Sequence, residues 1–421
     1  MKAKLLTTIM GLSAIAPAFA GHNAINTSVN DEYVEAGDAL QILIPATGLF
    51  ATWLYDDPEG AKQLALSVGA TQVIVHGTKN LVGRARPNSS SRQSFPSGHT
   101  AAAFSGAAFL QSRYGAAWGV PAYAAASFVG LSRMHGKRHF ADDVLAAASI
   151  SFLVNQYLIS PYQSKDMAFS ATPTKDGVQL GASFTNDFFT KQSRKAYETR
   201  TSKPQKHRFE LDIGFNMTDS FKKAGLPGDK LVDENQPFAS VNYSYQLDKD
   251  SFLQFNVSPN ETRRYGELQS DATYLGEQYE SGDDIYLAFR QWSVGGSYNR
   301  MFELTDDLTA SLGVGASGYL LEVEMDKEKG GQHIQSSSLR LLPSINSKLD
   351  YEIIDDLHTF ANVEYQHLKR DHVLLAEAGL SYDLNKEWDI SVKYQHQDAK
   401  WADQQIDYKT RSVVFSIANR F

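Results

Sequence analysis

The stretch RFELDIGFNM, Arg208 to Met217, decides one half of the fold. Phe209, Leu211, Ile213, Phe215 and Met217 alternate with Arg208, Glu210, Asp212, Gly214 and Asn216. A period of two sends successive side chains to opposite faces of a strand, one face apolar and the other polar. Trp388, Ile390, Val392 and Tyr394 alternate in the same way with Asp389, Ser391, Lys393 and Gln395. Short polar turns fall at Leu247–Asp250, Thr305–Asp307, Ile354–Asp356 and Leu384–Glu387. Between them lie longer polar stretches near 218–237, 259–283, 325–334 and 398–408, and a short one near 369–371. Short turns alternating with longer loops are the pattern of an up-and-down antiparallel transmembrane β-barrel whose short turns face the periplasm.

About ten strands are legible between residues 207 and 421, and a hairpin in FSATPTKDGVQLGASF, Phe169 to Phe184, would make about twelve. An even count puts both ends of the barrel on one side of the membrane. The segment RSVVFSIANRF places Val413, Phe415, Ile417 and Phe421 on one face and resembles the C-terminal strand of bacterial outer-membrane proteins. Asn419 departs from that pattern, being polar where an apolar residue is usual. A soluble β-sandwich is the bland alternative.

Upstream the period changes. The windows LQILIPATGLFATWLY, TAAAFSGAAFLQS, GVPAYAAASFVGL and VLAAASISFLVNQYLI are uncharged and are separated by charged or turn residues. They predict the helices of an α-helical bundle. Ser, Thr, Gln, Gly and Pro121 dilute them, so a bundle core is a better reading than membrane spans. The expected fold class is therefore multidomain α + β, a helical bundle followed by a barrel of about 10 to 12 strands.

MKAKLLTTIMGLSAIAPAFA has Lys2 and Lys4, an apolar run, and Ala18 and Ala20 around Phe19. This reads as a secretory signal over residues 1–20, ahead of a helical domain at 21–165 and the barrel at 166–421. Cysteine is absent, so no disulfide or thiolate-metal site is possible. The net charge of −8 is uneven: roughly +1 over 21–165 and roughly −11 over 166–421, which argues against a nucleic-acid partner.

Three clusters carry chemistry in the helical half. KNLVGRARP runs from Lys79 to Pro87, PSGH from Pro96 to His99, and SRMHGKRHFADD from Ser132 to Asp143. A phosphate ester brings up to two negative charges, and its transition state spreads more over three equatorial oxygens, so a metal-free site needs fixed cations and backbone donors. Lys79, Arg86 and Arg133 can supply the cations. Ser97 stands where a helix should begin and can cap it, and Gly98 lets the backbone come close to an oxyanion. If a helix starts near Ala141, His139 and Asp143 stand at i and i+4 and share a face.

The spacings K-x6-R-P, P-S-G-H and S-R-x5-H-x3-D together resemble the type 2 phosphatidic acid phosphatase (PAP2) superfamily of lipid phosphatases, bacterial acid phosphatases and vanadium haloperoxidases. The resemblance covers roughly residues 40 to 160 and is carried by the ordered set of motifs, since Pro-Ser-Gly alone is often only a turn. It implies His139 as a nucleophile forming a phosphohistidine, Asp143 as its orienting partner and His99 as acid and then base. It implies Lys79, Arg86, Ser97, Gly98 and Arg133 as phosphate-binding residues.

No metal and no cofactor is expected, because His135, His139, Asp142 and Asp143 do not have the spacing of a zinc or calcium site. His135, Lys137, Arg138 and Asp142 read as solvated or substrate-rim groups. Lys137 and Ala141 depart from the Gly and Pro common in the family, which bears on loop shape and substrate fit. The expectation is a periplasm-facing phosphatase held in the outer membrane, acting on phosphatidic acid, phosphatidylglycerol phosphate, an isoprenyl diphosphate or a lipid A phosphate. The alternatives are a non-specific acid phosphatase on soluble phosphates, a vanadate-using haloperoxidase, and a pore with an inactive PAP2-like module.

Overall fold

A computed structural model of the chain describes residues 29–88, 90–162, 167–174, 177–184, 205–223, 226, 231–233, 237–327 and 334–421. The expected signal segment at 1–20 lies outside the described residues. The chain divides into two compact units, one containing the helices and the other the long strands.

The helical unit has α1 (Glu32–Leu54), α2 (Pro58–Val82), α3 (Gly98–Tyr114), α4 (Ala116–His135) and α5 (Ala141–Leu158). The first three start where a side chain can accept from the free N–H groups of the first turn. Asp31 accepts from Val34 N at 3.1 Å, Asp57 from Gly60 N at 2.9 Å, and Ser97 from Thr100 N at 3.4 Å. Pro58 occupies the first turn of α2, where its missing N–H costs nothing. Gly83, at φ 61°, ends that helix in the left-handed conformation and turns the chain toward Arg84 and Arg86.

Helix α3 is the centre of the unit and packs against each of the other four. Its Ala101, Ala103, Ala107, Ala108, Phe109 and Leu110 are buried. Small residues let the backbones approach: a Cβ on Gly106 would lie 2.6 Å from the backbone nitrogen of Pro45 in α1. Arg113 at the end of α3 binds Asp57 at 2.6 and 2.7 Å, which ties the α1–α2 turn to the core.

The apolar windows are not wholly core. Helix α1 buries Val34, Ile44 and Ala51 but exposes Ile42, Leu43, Leu49, Phe50 and Trp53, the last at 75 %. Leu66 and Val73 of α2 are also exposed. Among the described residues no helix is long and apolar enough to cross a membrane.

Strands β1 (Met167–Thr174) and β2 (Gly177–Phe184) pair with each other in a sheet of their own. The sequence offered this hairpin as two further barrel strands; its hydrogen bonds are instead made within the pair. The strand unit then follows: β3 (His207–Lys223), β4 (Val232–Asp233), β5 (Pro237–Gln246), β6 (Ser251–Glu267), β7 (Ala272–Tyr274), β8 (Glu277–Tyr279) and β9 (Asp284–Glu303). It continues with β10 (Leu308–Lys327), β11 (Ile334–Ile354), β12 (Leu357–Leu368), β13 (Asp371–Asp383), β14 (Trp388–Trp401) and β15 (Ile406–Arg420).

β3, β5, β6 and β9 to β15 form a closed antiparallel barrel of 10 strands, sealed by the β6–β9 and β3–β15 pairs. Closure leaves no free edge among these strands. At the seam His207 and Phe421 exchange backbone hydrogen bonds of 3.0 and 2.9 Å, and their rings stack. β9, β10 and β11 have 20, 20 and 21 residues, more than the roughly 9 to 11 that a membrane crossing takes.

The outer face is apolar, with Val294, Leu312, Val314, Leu339, Leu341 and Ile345 exposed. The opposite face fills the lumen. Toward the short turns it holds Lys393, which is 3.0 Å from Asp212, 3.4 Å from Glu210 and 3.5 Å from Glu377. Toward the other end Leu321, Val323, Met325, Trp401 and Tyr408 form one apolar cluster with Tyr274 and Tyr279 of the β7–β8 hairpin. Asn419, anomalous in the sequence pattern, is buried and donates to the carbonyl of Glu387 at 3.1 Å.

Candidate active site

The site forms where α2, α3, α4 and α5 begin or end. Lys79 comes from the last turn of α2, Ser97 to His99 from the start of α3, Arg133 from the end of α4, and His139 and Asp143 from the start of α5. A backbone hydrogen bond of 3.0 Å from Ser97 N to Asp143 O fixes the start of α3 against α5.

Asp143 is the anchor. It is fully buried, and its Oδ1 accepts from Arg84 at 2.7 Å. Its Oδ2 accepts from Ser94 at 2.5 Å and from Phe140 N at 2.8 Å. Burial would raise its pKa, but the Arg84 guanidinium and the His139 ring hold the carboxyl well below its ordinary range. His139 Nδ1 stands 3.5 Å from Oδ2, within ion-pair reach but long for a hydrogen bond. With Nδ1 turned to Asp143, Nε2 is the nitrogen left for a substrate. Burial pushes the His139 pKa down to about 4, so the ring is neutral and nucleophilic at pH 7.

The cations surround this pair. Lys79 is buried and donates to the carbonyl of Gln93 at 2.8 Å; burial, with Arg86 nearby, lowers its pKa to about 8. Among the described residues the buried Nε of Arg86 has no hydrogen-bond partner, a donor without an acceptor in a cluster of positive charge. Arg133 is fully buried; its donors go to Ser132, Asp38 and the carbonyl of Val34. His99 Nε2 is 3.2 Å from Asp38, and burial followed by Arg133 lowers the His99 pKa to about 4.

The electrostatic neighbours of His99 include Arg133 and His139, and those of His139 include Lys79 and Arg86. The residues singled out in the sequence therefore gather within electrostatic reach of one another. Ser97 is buried and serves as the cap of α3, accepting from the Thr100 hydroxyl at 2.9 Å.

Asp142 corrects an expectation. It is not a solvated or rim group but is 3 % exposed, 2.8 Å from Arg84, so Arg84 neutralises two adjacent carboxylates. Arg84 also lies 4.5 Å from the Phe140 ring. Sequence reasoning passed over Arg84, Ser94 and Asp38. The signal for Arg84 was the first arginine of GRARP; Ser94 and Asp38 stand in stretches with no pattern. His135 pairs with exposed Asp31 at 2.8 Å, and Arg138 reaches Asn30 at 2.7 Å and Asp38 at 3.5 Å. Lys137 adopts φ 54°, the left-handed conformation that a glycine takes without strain.

Residues 60–165 match the PAP2 superfamily, so the helical unit carries a PAP2 domain, followed in the chain by the closed barrel. A 107-residue segment is 38% identical to a lipid A 1-phosphatase of Porphyromonas gingivalis, covering 24% of this chain and 24% of that protein. The chain thus spans about a quarter of the length of this curated relative. Among solved structures, LpxE of Aquifex aeolicus overlaps 32% of this chain and 88% of its own, at 24% identity and a TM-score of 0.27. The attachment invasion locus protein Ail of Yersinia pestis overlaps 51% of this chain and 99% of its own, at 17% identity and a TM-score of 0.27.

Proposed function

We propose that the chain is a phosphatase that removes phosphate from a membrane lipid, with its barrel as an outer-membrane anchor and its helical unit on the periplasmic side. The observation that carries this reading is one cluster: buried, neutral His139, braced by ionised Asp143 and ringed by Lys79, Arg86, Arg133 and His99.

The chemistry follows from the geometry. Nε2 of His139 attacks phosphorus in line with the leaving oxygen; the P–N bond forms as the P–O bond breaks. His99 gives its proton to the leaving oxygen. The phosphate's own negative charge, set among the cations, raises the pKa of His99 enough to hold that proton. Lys79, Arg86, Arg133 and the free N–H groups opening α3 take the charge that builds on the equatorial oxygens. His99 then removes a proton from water, whose oxygen displaces His139 from phosphorus and releases inorganic phosphate.

A lipid is favoured over a soluble phosphate because α1 turns Ile42, Leu43, Leu49, Phe50 and Trp53 outward along a stretch, Ala39 to Tyr55, with no charged residue. Such a face suits the edge of a bilayer. Among lipids, the named activity of the Porphyromonas gingivalis relative favours a lipid A phosphate. A membrane anchor raises the effective concentration of such a substrate.

The test is phosphate release by the whole chain and by His139→Ala from lipid A, phosphatidic acid, phosphatidylglycerol phosphate, an isoprenyl diphosphate and soluble phosphomonoesters. Release from the lipids by the wild type and none by the variant is expected; equal release by both would refute the mechanism.

A further inference from the structure

The His99 side chain meets a carboxylate that belongs to none of the three motifs. Asp38, in the second turn of α1, places Oδ1 at 3.2 Å from His99 Nε2 and 2.5 Å from Arg133 Nη1, and Oδ2 at 3.5 Å from Arg138 Nη1. We propose, on the reading of the site as a phosphatase, that Asp38 is a positioning residue for His99. It holds Nε2–H toward its own carboxylate and leaves Nδ1 to trade protons with the leaving oxygen and with water.

Three features of the structure support this. The approach of α1 to α4 is built for it: a Cβ on the preceding Gly37 would fall 2.0 Å from Ser132 Oγ and 2.9 Å from Arg133 Nη2, so only glycine lets Asp38 reach so far in. Asp38 also borders solvent: its side chain is 37% exposed, whereas that of its partner Arg133 is buried. Finally, Arg133 is already held by Val34 O and Ser132 Oγ, so its position does not depend on Asp38 alone.

The site then contains two carboxylate–histidine couples, Asp143 with His139 and Asp38 with His99, one for each role. The groups acting on His99 are Arg133, Asp38, His139 and Arg138, and Asp38 alone among them raises its pKa. The couple stabilises the imidazolium that protonates the departing oxygen as the P–O electron pair leaves. After that transfer it keeps the Nδ1 lone pair aimed at the water that gives back a proton and bonds to phosphorus.

The test uses the whole chain in detergent micelles and compares kcat/KM for an alkyl phosphate, a poor leaving group, with that for dinitrophenyl phosphate, which leaves without proton help. Asp38→Asn should lower kcat/KM about 10²-fold for the alkyl ester and less than about threefold for the dinitrophenyl ester. It should also move to lower pH the limb of the alkyl profile at which His99 loses its proton, and Asp38→Glu should restore part of the rate. Equal losses on both esters, or no loss on either, from a chain whose wild type is active and whose His139→Ala form is dead, would overturn the role of Asp38 alone. A wild type that releases phosphate from neither ester would overturn the phosphatase reading and this one with it.

Discussion

Both units bury charge, and they do so with opposite results. In the helical unit Lys79, Arg84, Arg86 and Arg133 stand with Asp142, Asp143 and Asp38, and Arg86 keeps a donor that no acceptor meets among the described residues. In the lumen Lys393 is enclosed by Glu210, Asp212 and Glu377, while Arg208 pairs with Asp389 at 2.8 Å. The first cluster is left with an excess of cations around His139, the second with an excess of carboxylates around a lysine. Burial alone does not make a site; uncompensated charge of the sign opposite to a substrate does.

The sharpest break of that comparison is His139→Ala, which should lower phosphate release by about 10³-fold or more while leaving the heat-modifiable gel migration of the barrel unchanged. Loss of both together would mean that the two clusters are not separate. Lys393→Ala is the reciprocal change. It takes the close cation from Asp212 and Glu377, leaving Glu210 to Arg208, and should cost the barrel about 3 kcal/mol or more, read as a lower temperature for loss of the folded gel band, with kcat unaltered.

The pH profile gives a smaller effect with a definite sign. His139 must be neutral to attack, which requires pH above about 4, and Lys79 must be charged to hold phosphate, which requires pH below about 8. Activity should therefore be bell-shaped between those values and fall about tenfold per pH unit beyond each flank. A profile flat to pH 10 would remove Lys79 from the cradle. Smallest is Trp53→Glu, which should slow release from vesicle-borne lipid phosphate about fivefold and leave a soluble ester unaffected. Equal rates on vesicles would mean that the α1 face does not meet lipid.

Legibility in the sequence followed the range of each interaction. Strand alternation and the short turns are local, so the barrel and its strand count of about ten were readable before any coordinates. The three motifs are also local, each within a dozen residues, and the structure gathers them. What could not be read were partners fixed by packing. Asp38 reaches Arg133 across 95 residues and Arg84 reaches Asp143 across 59, and no periodicity marks either. The apolar windows of α1 misled for a related reason: a run without charges records that water is avoided, not whether protein or lipid replaces it.

The seam between β3 and β15 has a consequence for how the molecule is made. Those strands are neighbours in the ring but lie nearly 200 residues apart in the chain, as the pairing of Ser412 with Asn216 shows. The last pairing of the ring must wait for β15, whereas every residue of the helical cluster precedes β3. As the chain is made, every residue of the helical cluster is therefore present before the ring can close.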